Sequence, residues 1–148
     1  MAGFIESNTI SSINKRLAVN RAVLEAIGER EGGWRISIAE SGDKRIWNVA
    51  VRGPNGFRCT LNFEGNERVP SHVGSTIRAA LEKADEELTA ALSELVKEGV
   101  LFTREIRPDG RVEYVIDRIR LTGDEVKYLR SRDALTRRGI KQYLVGRR

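Results

Sequence analysis

The sequence predicts an α+β fold: an N-terminal helix, a three-stranded antiparallel meander, a long central helix, a second β-hairpin and two C-terminal helices. Apolar residues recur every three or four positions over residues 75–98, which is typical of a helix. Three segments between residues 34 and 63 alternate apolar with polar residues, which is typical of half-buried strands. The short turn sequences between these segments indicate antiparallel neighbours.

The first predicted helix spans residues 8–31. Asn8 or Ser11 is a candidate for its N-terminal cap, and Gly32-Gly33 is expected to end it. The apolar residues that share one face, which we expect to be buried, are Ile10, Ile13, Leu17, Leu24 and Ile27.

The meander follows, and its alternation predicts a sheet with one apolar face. The residues on that face are Trp34, Ile36, Ile38, Trp47, Val49, Val51, Phe57, Cys59, Leu61 and Phe63. The first helix and the long helix are expected to cover it. The opposite face carries arginine, threonine and asparagine, and no aromatic residue that could stack on a base is expected there.

The long helix is predicted from Ser75 to Glu98, with Gly99 after its last turn. Its apolar seam runs for three heptads through Ile77, Leu81, Ala84, Leu88, Ala91 and Leu95. In one interpretation the seam packs on the meander, with Leu81 and Leu88 against the sheet. In the other the chain forms a homodimer, because a helix of about 36 Å is longer than a sheet with strands of about 25 Å can cover. Ala91 and Leu95 then form a possible oligomer interface.

A second hairpin is predicted over residues 100–116, with Pro108-Asp109-Gly110 as its turn and residues 119–121 as an extension. Thr122 and Glu125 have the spacing of a capping box, which predicts the start of a helix. A last helix follows, with Ser131 as a candidate cap and Gly139 as a weak point.

The length of 148 residues suits a single domain over residues 1–148, with residues 8–98 and 99–148 as possible sub-lobes. Cys59 is the only cysteine, so no intramolecular disulfide can form, which favours a reducing compartment. The first eight residues lack the basic and apolar regions of a signal peptide, and the apolar runs are too short for a membrane span. We therefore expect a soluble cytoplasmic protein with no membrane partner.

Few residues suit catalysis. His72 is the only histidine, which excludes a His-pair metal site, and its predicted loop position is typical of a surface residue. Cys59 lies between apolar alternating positions and is interpreted as a small buried residue rather than a nucleophile. Neither a P-loop nor a dinucleotide fingerprint occurs. The sequence therefore predicts no enzyme, no catalytic residue, no metal site and no cofactor.

Positive charge is concentrated in the last third of a chain whose net charge is +5. Residues 101–148 hold thirteen basic and seven acidic side chains, whereas residues 71–100 hold three and six. Because guanidinium groups bind phosphate well, this distribution indicates a nucleic-acid surface, although an ordinary solvated face is the alternative. The candidate nucleic-acid-binding residues are Arg104, Arg107, Arg111, Arg118, Arg120, Arg137, Arg138 and Lys141. Acidic residues of the hairpin are expected to pair with some of these arginines across the strands.

Two segments resemble known nucleic-acid-binding folds. The α-β-β-β-α order of residues 8–98 resembles the double-stranded-RNA-binding domain, whose second helix opens with Gly-Ser and a cluster of lysines that binds phosphates. Gly74 and Ser75 match that opening, but Arg78 is one basic residue where the family has about three. Residues 92–116 resemble the recognition helix and wing of a winged-helix domain, which implies that arginines of the wing contact phosphates.

The sequence thus favours a non-enzymatic nucleic-acid-binding accessory or regulatory protein, with duplex DNA or RNA as its partner. The alternative is a protein-interaction module, for example an oligomeric structural component or an inhibitor encoded by a phage or mobile element. The acidic long helix and the expected lack of exposed aromatic residues on the sheet favour the alternative.

Overall fold

A computed structural model describes residues 3–147, apart from the side chain of Asn55. The predicted α+β fold is confirmed, with one additional strand before the first helix. The elements are β1 (Gly3–Asn8), α1 (Ile13–Ile27), β2 (Trp34–Glu40), β3 (Ile46–Arg52), β4 (Arg58–Glu64), α2 (Pro70–Lys97), β5 (Thr103–Ile106), β6 (Val112–Ile116), β7 (Ile119–Thr122), α3 (Gly123–Ser131) and α4 (Arg137–Arg147). None of the helices in the described part of the chain has the length and apolar character needed to cross a bilayer.

The elements divide into two compact units. The first unit contains the residues up to Gly53 and Phe57–Glu82, and the second contains Pro54–Gly56 and the residues from Lys83 onward. The division between the two units lies inside α2. The helix continues through this boundary without interruption and contributes apolar side chains to both cores.

The sheet of the first unit has the strand order β1-β2-β3-β4. β1 runs parallel to β2, and α1 is the crossover between them, whereas the remaining pairs are antiparallel. Strand β1 was not predicted, because its register shifts between Ile5 and Ser7 and this bulge interrupts the alternation that marks a strand. The extra strand also departs from the strand order of the double-stranded-RNA-binding domain.

Helix α1 buries only part of the predicted face: Ile27 is buried and Leu24 partly buried in the first core, and Ile10, just before the helix, is also buried. Its buried residues are Val19, Val23, Ala26 and Ile27, whereas Ile13 and Leu17 are exposed. The side chain of Ser12, rather than Asn8 or Ser11, caps the helix by accepting a hydrogen bond from the backbone of Lys15. The helix ends before Gly28, whose φ of 59° suits glycine. At 100° per residue, Ile13 and Leu17 point away from the buried stripe.

Helix α2 begins at Pro70, five positions before the predicted start, because a proline fits the first turn of a helix. Its first half, with Ile77 and Leu81, packs in the first core as predicted. Leu88 instead packs against the core of the second unit, so its predicted contact with the meander is wrong. Ala91 and Leu95 were assigned to a possible oligomer interface, but residues of the same chain bury both side chains completely. Neither is therefore available to a partner helix.

The second unit is built on the antiparallel sheet β5-β6-β7, with α3 and α4 contributing to the same core. The predicted capping box is confirmed: Thr122 Oγ1 accepts from the backbone of Glu125 at 3.2 Å, and the Glu125 carboxylate accepts from the backbone of Thr122 at 3.0 Å. The predicted cap of the last helix is wrong, because Ser131 belongs to α3. Thr136 takes that place and accepts from Gly139 N at 3.0 Å.

Candidate nucleic-acid interface

All eight predicted binding residues lie in the second unit and are exposed. They occupy three places: β5, β7 and the turn between β5 and β6; the turn between β6 and β7; and the first half of α4. The first place holds Arg104, Arg107, Arg111 and Arg120, the second Arg118, and the third Arg137, Arg138 and Lys141. The sequence left open whether these residues form one patch, and the structure distributes them over these three places.

Arg107 and Arg120 are neutralised on the outer face of the second sheet. Glu105 and Glu113 lie opposite each other in the register of β5 and β6, and the two arginines bind them. The Arg120 guanidinium hydrogen bonds to Glu105, which raises the pKa of Arg120. Arg107 Nε lies 3.2 Å from Glu113 Oε1. Two positive and two negative groups thus form a neutral cluster, as the predicted cross-strand pairing requires.

Arg111 and Arg104 also have partners within the chain. Arg111 Nε lies 2.7 Å from Asp109 Oδ2, and the backbone and side-chain hydrogen bonds from Arg111 lower the pKa of Asp109. Arg104 lies opposite Tyr114 in the sheet and hydrogen bonds to it, while burial raises the pKa of the Tyr114 hydroxyl. The three arginines of the wing-like hairpin are therefore engaged by their neighbours.

The remaining four residues, Arg118, Arg137, Arg138 and Lys141, form what we call the α4 cluster. Arg137 Nε lies 3.7 Å from Asp117 Oδ2, which places the first turn of α4 beside the β6–β7 turn that carries Arg118. In the described part of the chain, no carboxylate lies within 4.0 Å of the charged groups of Arg118, Arg138 or Lys141. The N-terminus of α4 adds a partial positive charge of its own. Among the described residues, the four basic groups of the cluster thus have one neighbouring carboxylate, that of Asp117, and it pairs with Arg137.

Arg118 has an unfavourable backbone conformation. Asp117 and Arg118 have φ angles of 50° and 69°, as in a two-residue turn of type I′, where glycine or asparagine is usual. A left-handed arginine costs about 1 kcal/mol. Backbone strain of this kind is concentrated at functional sites, so it marks Arg118 as a candidate binding residue.

Helix α4 is held in place through Glu125. Tyr143 Oη donates to Glu125 Oε2 at 2.7 Å, and Arg147 Nη1 lies 2.7 Å from the same oxygen. Burial raises the pKa of Glu125, but the hydrogen bonds from Thr122 N, Tyr143 and Arg147 outweigh it, so the pKa is lowered. The bond to Glu125 raises the pKa of Tyr143 to about 12. This anchor fixes the helix that carries most of the α4 cluster.

His72 and Cys59, the two residues considered for catalysis, both lie in the first unit. His72 lies in the first turn of α2 rather than in a loop, is exposed, and meets the ring of Phe63 edge-on with 5.7 Å between ring centres. Burial raises the pKa of the Cys59 thiol, which disfavours the thiolate. Within residues 3–147, no three His, Cys, Asp or Glu side chains converge as a metal site would require.

A second group of exposed arginines, in the first unit, was not among the predicted binding residues. Arg35, Arg52 and Arg58 lie directly opposite one another on β2, β3 and β4, and we call them the arginine row. The sequence does contain a signal for it. Arg35 and Arg52 are equidistant from the centre of the turn between β2 and β3, and Arg52 and Arg58 are equidistant from the centre of the turn between β3 and β4. Residues at equal distances from a hairpin turn lie opposite each other.

Comparison with known proteins gives no match: no family model fits the chain, and no curated protein and no solved structure is similar to it.

Proposed function

We propose that this protein binds nucleic acid without catalysing a reaction, and that the α4 cluster contacts the phosphate backbone of duplex DNA or RNA. One observation carries the proposal: three exposed basic side chains, in the first half of α4 and in the adjacent β6–β7 turn, have no acidic partner in the described residues. Arginine and lysine in such an arrangement bind phosphates and release counterions. Binding without chemistry fits an accessory or regulatory role.

We assign the main phosphate contacts to only four of the eight predicted binding residues. Arg104, Arg107, Arg111 and Arg120 would have to give up bonds within the chain before they could bind phosphate. Exposed ion pairs are weak, so such an exchange is feasible but returns little net free energy. When it binds phosphate, the α4 cluster breaks at most the ion pair between Arg137 and Asp117, whose atoms lie 3.7 Å apart. The α4 cluster therefore supplies the main contacts to phosphate.

Two triple variants with the same change in net charge test this assignment. The first replaces Arg118, Arg138 and Lys141 with alanine. The control replaces Arg107, Arg111 and Arg120, whose guanidinium groups already bind carboxylates. Fluorescence anisotropy with a short labelled DNA or RNA duplex, between about 50 and 200 mM salt, gives the affinity and its salt dependence.

We expect the first variant to bind at least about tenfold more weakly and to reduce the slope of log K against log salt by about one unit per lost contact. The control should retain most of the affinity. Equal losses in both variants would indicate that net charge alone matters, and the α4 cluster would not be the site. No binding by the unmodified protein at low salt would refute the function itself.

A second candidate function is the protein-interaction module, which an apolar surface on the second unit favours. Val96 and Leu101 are 64% and 86% exposed, and they lie near a shallow depression that Leu92 and Phe102 line. Exposed apolar groups that lie together are typical of interaction surfaces. The test is light scattering over a range of concentrations with Val96→Ser and Leu101→Ser combined. A concentration-dependent mass that this variant abolishes would support a homodimer, and a constant monomer mass would oppose it.

A further inference from the structure

The polar face of the first sheet carries a dense line of positive charge. The arginine row crosses three adjacent strands in register, and all three side chains are exposed. Neighbouring strands are about 4.8 Å apart, so Arg35 and Arg58 lie about 10 Å from each other along the row. Three like charges at this spacing repel one another, and directly opposed like charges destabilise a sheet.

Little in the chain compensates this repulsion. Arg35 Nε lies 3.7 Å from Glu6 Oε1, and both side chains are largely exposed, so the pair is weak. Among the residues that the structure describes, Arg52 and Arg58 have no carboxylate within 4.0 Å. A polyanion that lies across the strands would supply the missing negative charge.

An exposed aromatic ring extends the row. Phe4 pairs with Arg35 in the register of β1 and β2, on the same face of the sheet, and it is 62% exposed. The expectation that no aromatic residue is exposed on the sheet is therefore wrong, because β1 was not predicted. A ring in this position can stack on a base while the neighbouring guanidinium groups bind phosphates.

The rest of the face carries small and polar side chains. Beyond the arginine row lie small side chains, and then Asn48 and Asn62, which are opposite each other on β3 and β4. Asn48 and Arg52 are four steps apart along β3, which is a distance of about 13 Å. Four adjacent strands span about 14 Å across the sheet. A surface of about 13 Å by 14 Å accommodates two or three nucleotides, and the asparagine amides can donate to and accept from base edges.

We propose that this face binds single-stranded nucleic acid, with phosphates on Arg35, Arg52 and Arg58 and a base stacked on Phe4. The three positive charges favour a polyanion as the ligand. The exposed ring of Phe4 favours a polyanion whose base faces are accessible. A duplex has its base faces stacked internally, so it could not use Phe4. This surface is in the first unit, and its proposal is independent of the α4 cluster.

The test measures binding of labelled single strands of about ten nucleotides, oligo-dT and oligo-U, by fluorescence anisotropy. One variant combines Arg52→Gln with Arg58→Gln, and a second is Phe4→Ala. The matched control combines Arg21→Gln with Arg78→Gln, which removes the same charge from exposed positions on α1 and α2. The triple alanine variant of Arg118, Arg138 and Lys141 is measured with the same strands.

We expect the arginine variant to weaken single-strand binding at least about tenfold and to lower the salt slope by about two units, one for each lost phosphate contact. Phe4→Ala should weaken it about fivefold or more, because a stacked base is lost. The Arg21 and Arg78 control should bind normally. The thermal midpoint of the arginine variant should be unchanged or higher, because repulsion is removed.

Equal weakening in the control would refute the site, since only net charge would then matter. Unchanged binding in the arginine variant or in Phe4→Ala would also refute it. Loss of single-strand binding in the triple alanine variant alone would assign all binding to the α4 cluster. Tighter binding of oligo-U than of oligo-dT would identify RNA as the ligand, and equal affinity would indicate that the 2′-hydroxyl is not contacted.

Discussion

Replacing Leu95 with alanine tests whether the second half of α2 belongs to a core or to an interface with a partner. Leu95 is 0% exposed, and the core that buries it belongs to the same chain. The turn after the helix fixes its position, because Val100 N donates to Leu95 O at 3.0 Å and Gly99 has a φ of 73°. Loss of a leucine side chain at such a site costs about 2–5 kcal/mol.

The assay is urea unfolding monitored by two probes. Trp34 and Trp47 both lie in the first core, so tryptophan fluorescence reports the first unit, whereas far-ultraviolet circular dichroism reports both units. Leu81→Ala is the matched control, because Leu81 lies on the same helix, is 1% exposed and packs in the first core. We expect Leu81→Ala to shift the fluorescence transition strongly, and Leu95→Ala to shift the circular dichroism transition more than the fluorescence.

A loss of less than about 1 kcal/mol for Leu95→Ala would contradict the burial on which this reasoning depends. The charge variant Leu95→Glu gives a second criterion, since a carboxylate in this core would prevent the second unit from folding. If the unmodified protein were a dimer and Leu95→Glu a folded monomer by light scattering, the seam would be an interface after all.

Three further outcomes are expected. Glu125→Gln should lower the free energy of unfolding by about 1–2 kcal/mol at neutral pH. Because its pKa is lowered in the folded protein, Glu125 contributes stability above a pH of about 4.3 and loses this contribution as the pH falls. Thermal melts between a pH of about 7 and about 3 should therefore show a smaller loss of stability in the variant than in the unmodified protein. Gly139→Ala should destabilise the protein in chemical denaturation, although alanine favours helices, because the new Cβ would lie 2.1 Å from the backbone oxygen of Ala134; a more stable variant would contradict this contact. Arg118→Gly should raise the free energy of unfolding by about 1 kcal/mol, because glycine adopts the positive φ of this position without strain, and it should weaken duplex binding measured by anisotropy. A gain in stability without a loss of binding would show that Arg118 is not a binding residue.

Local sequence patterns predicted most of the elements. The alternation of residues 34–63 predicted the three strands of the meander and its buried face, and the spacing of Thr122 and Glu125 predicted the start of α3. These signals are local, because each depends on residues within a few positions of one another. The predictions failed where the decisive partner was distant, as for β1, whose pairing with β2 crosses a whole helix.

The same distinction applies to the candidate binding residues. Composition indicated a basic last third, and the expected pairing of hairpin arginines with acidic residues is found in the second sheet. The arginine row could have been found by counting from the turn centres, but its exposure and the position of Phe4 depend on the four-stranded sheet. Which of the eight candidates have partners cannot be decided from the sequence, because the pairs depend on how the strands and helices pack.

By itself, the sequence determined the fold class, the order of most elements and the excess of basic residues, because helix and strand periodicity and composition are properties of short stretches. Only the tertiary structure decided that α2 serves two cores, that Leu95 is buried, and that four of the basic candidates bind neighbouring groups while the α4 cluster shares one carboxylate. These features depend on packing and strand register between residues far apart in the chain. The sequence pattern of an apolar seam is the same whether a sheet, a second core or a partner covers the helix.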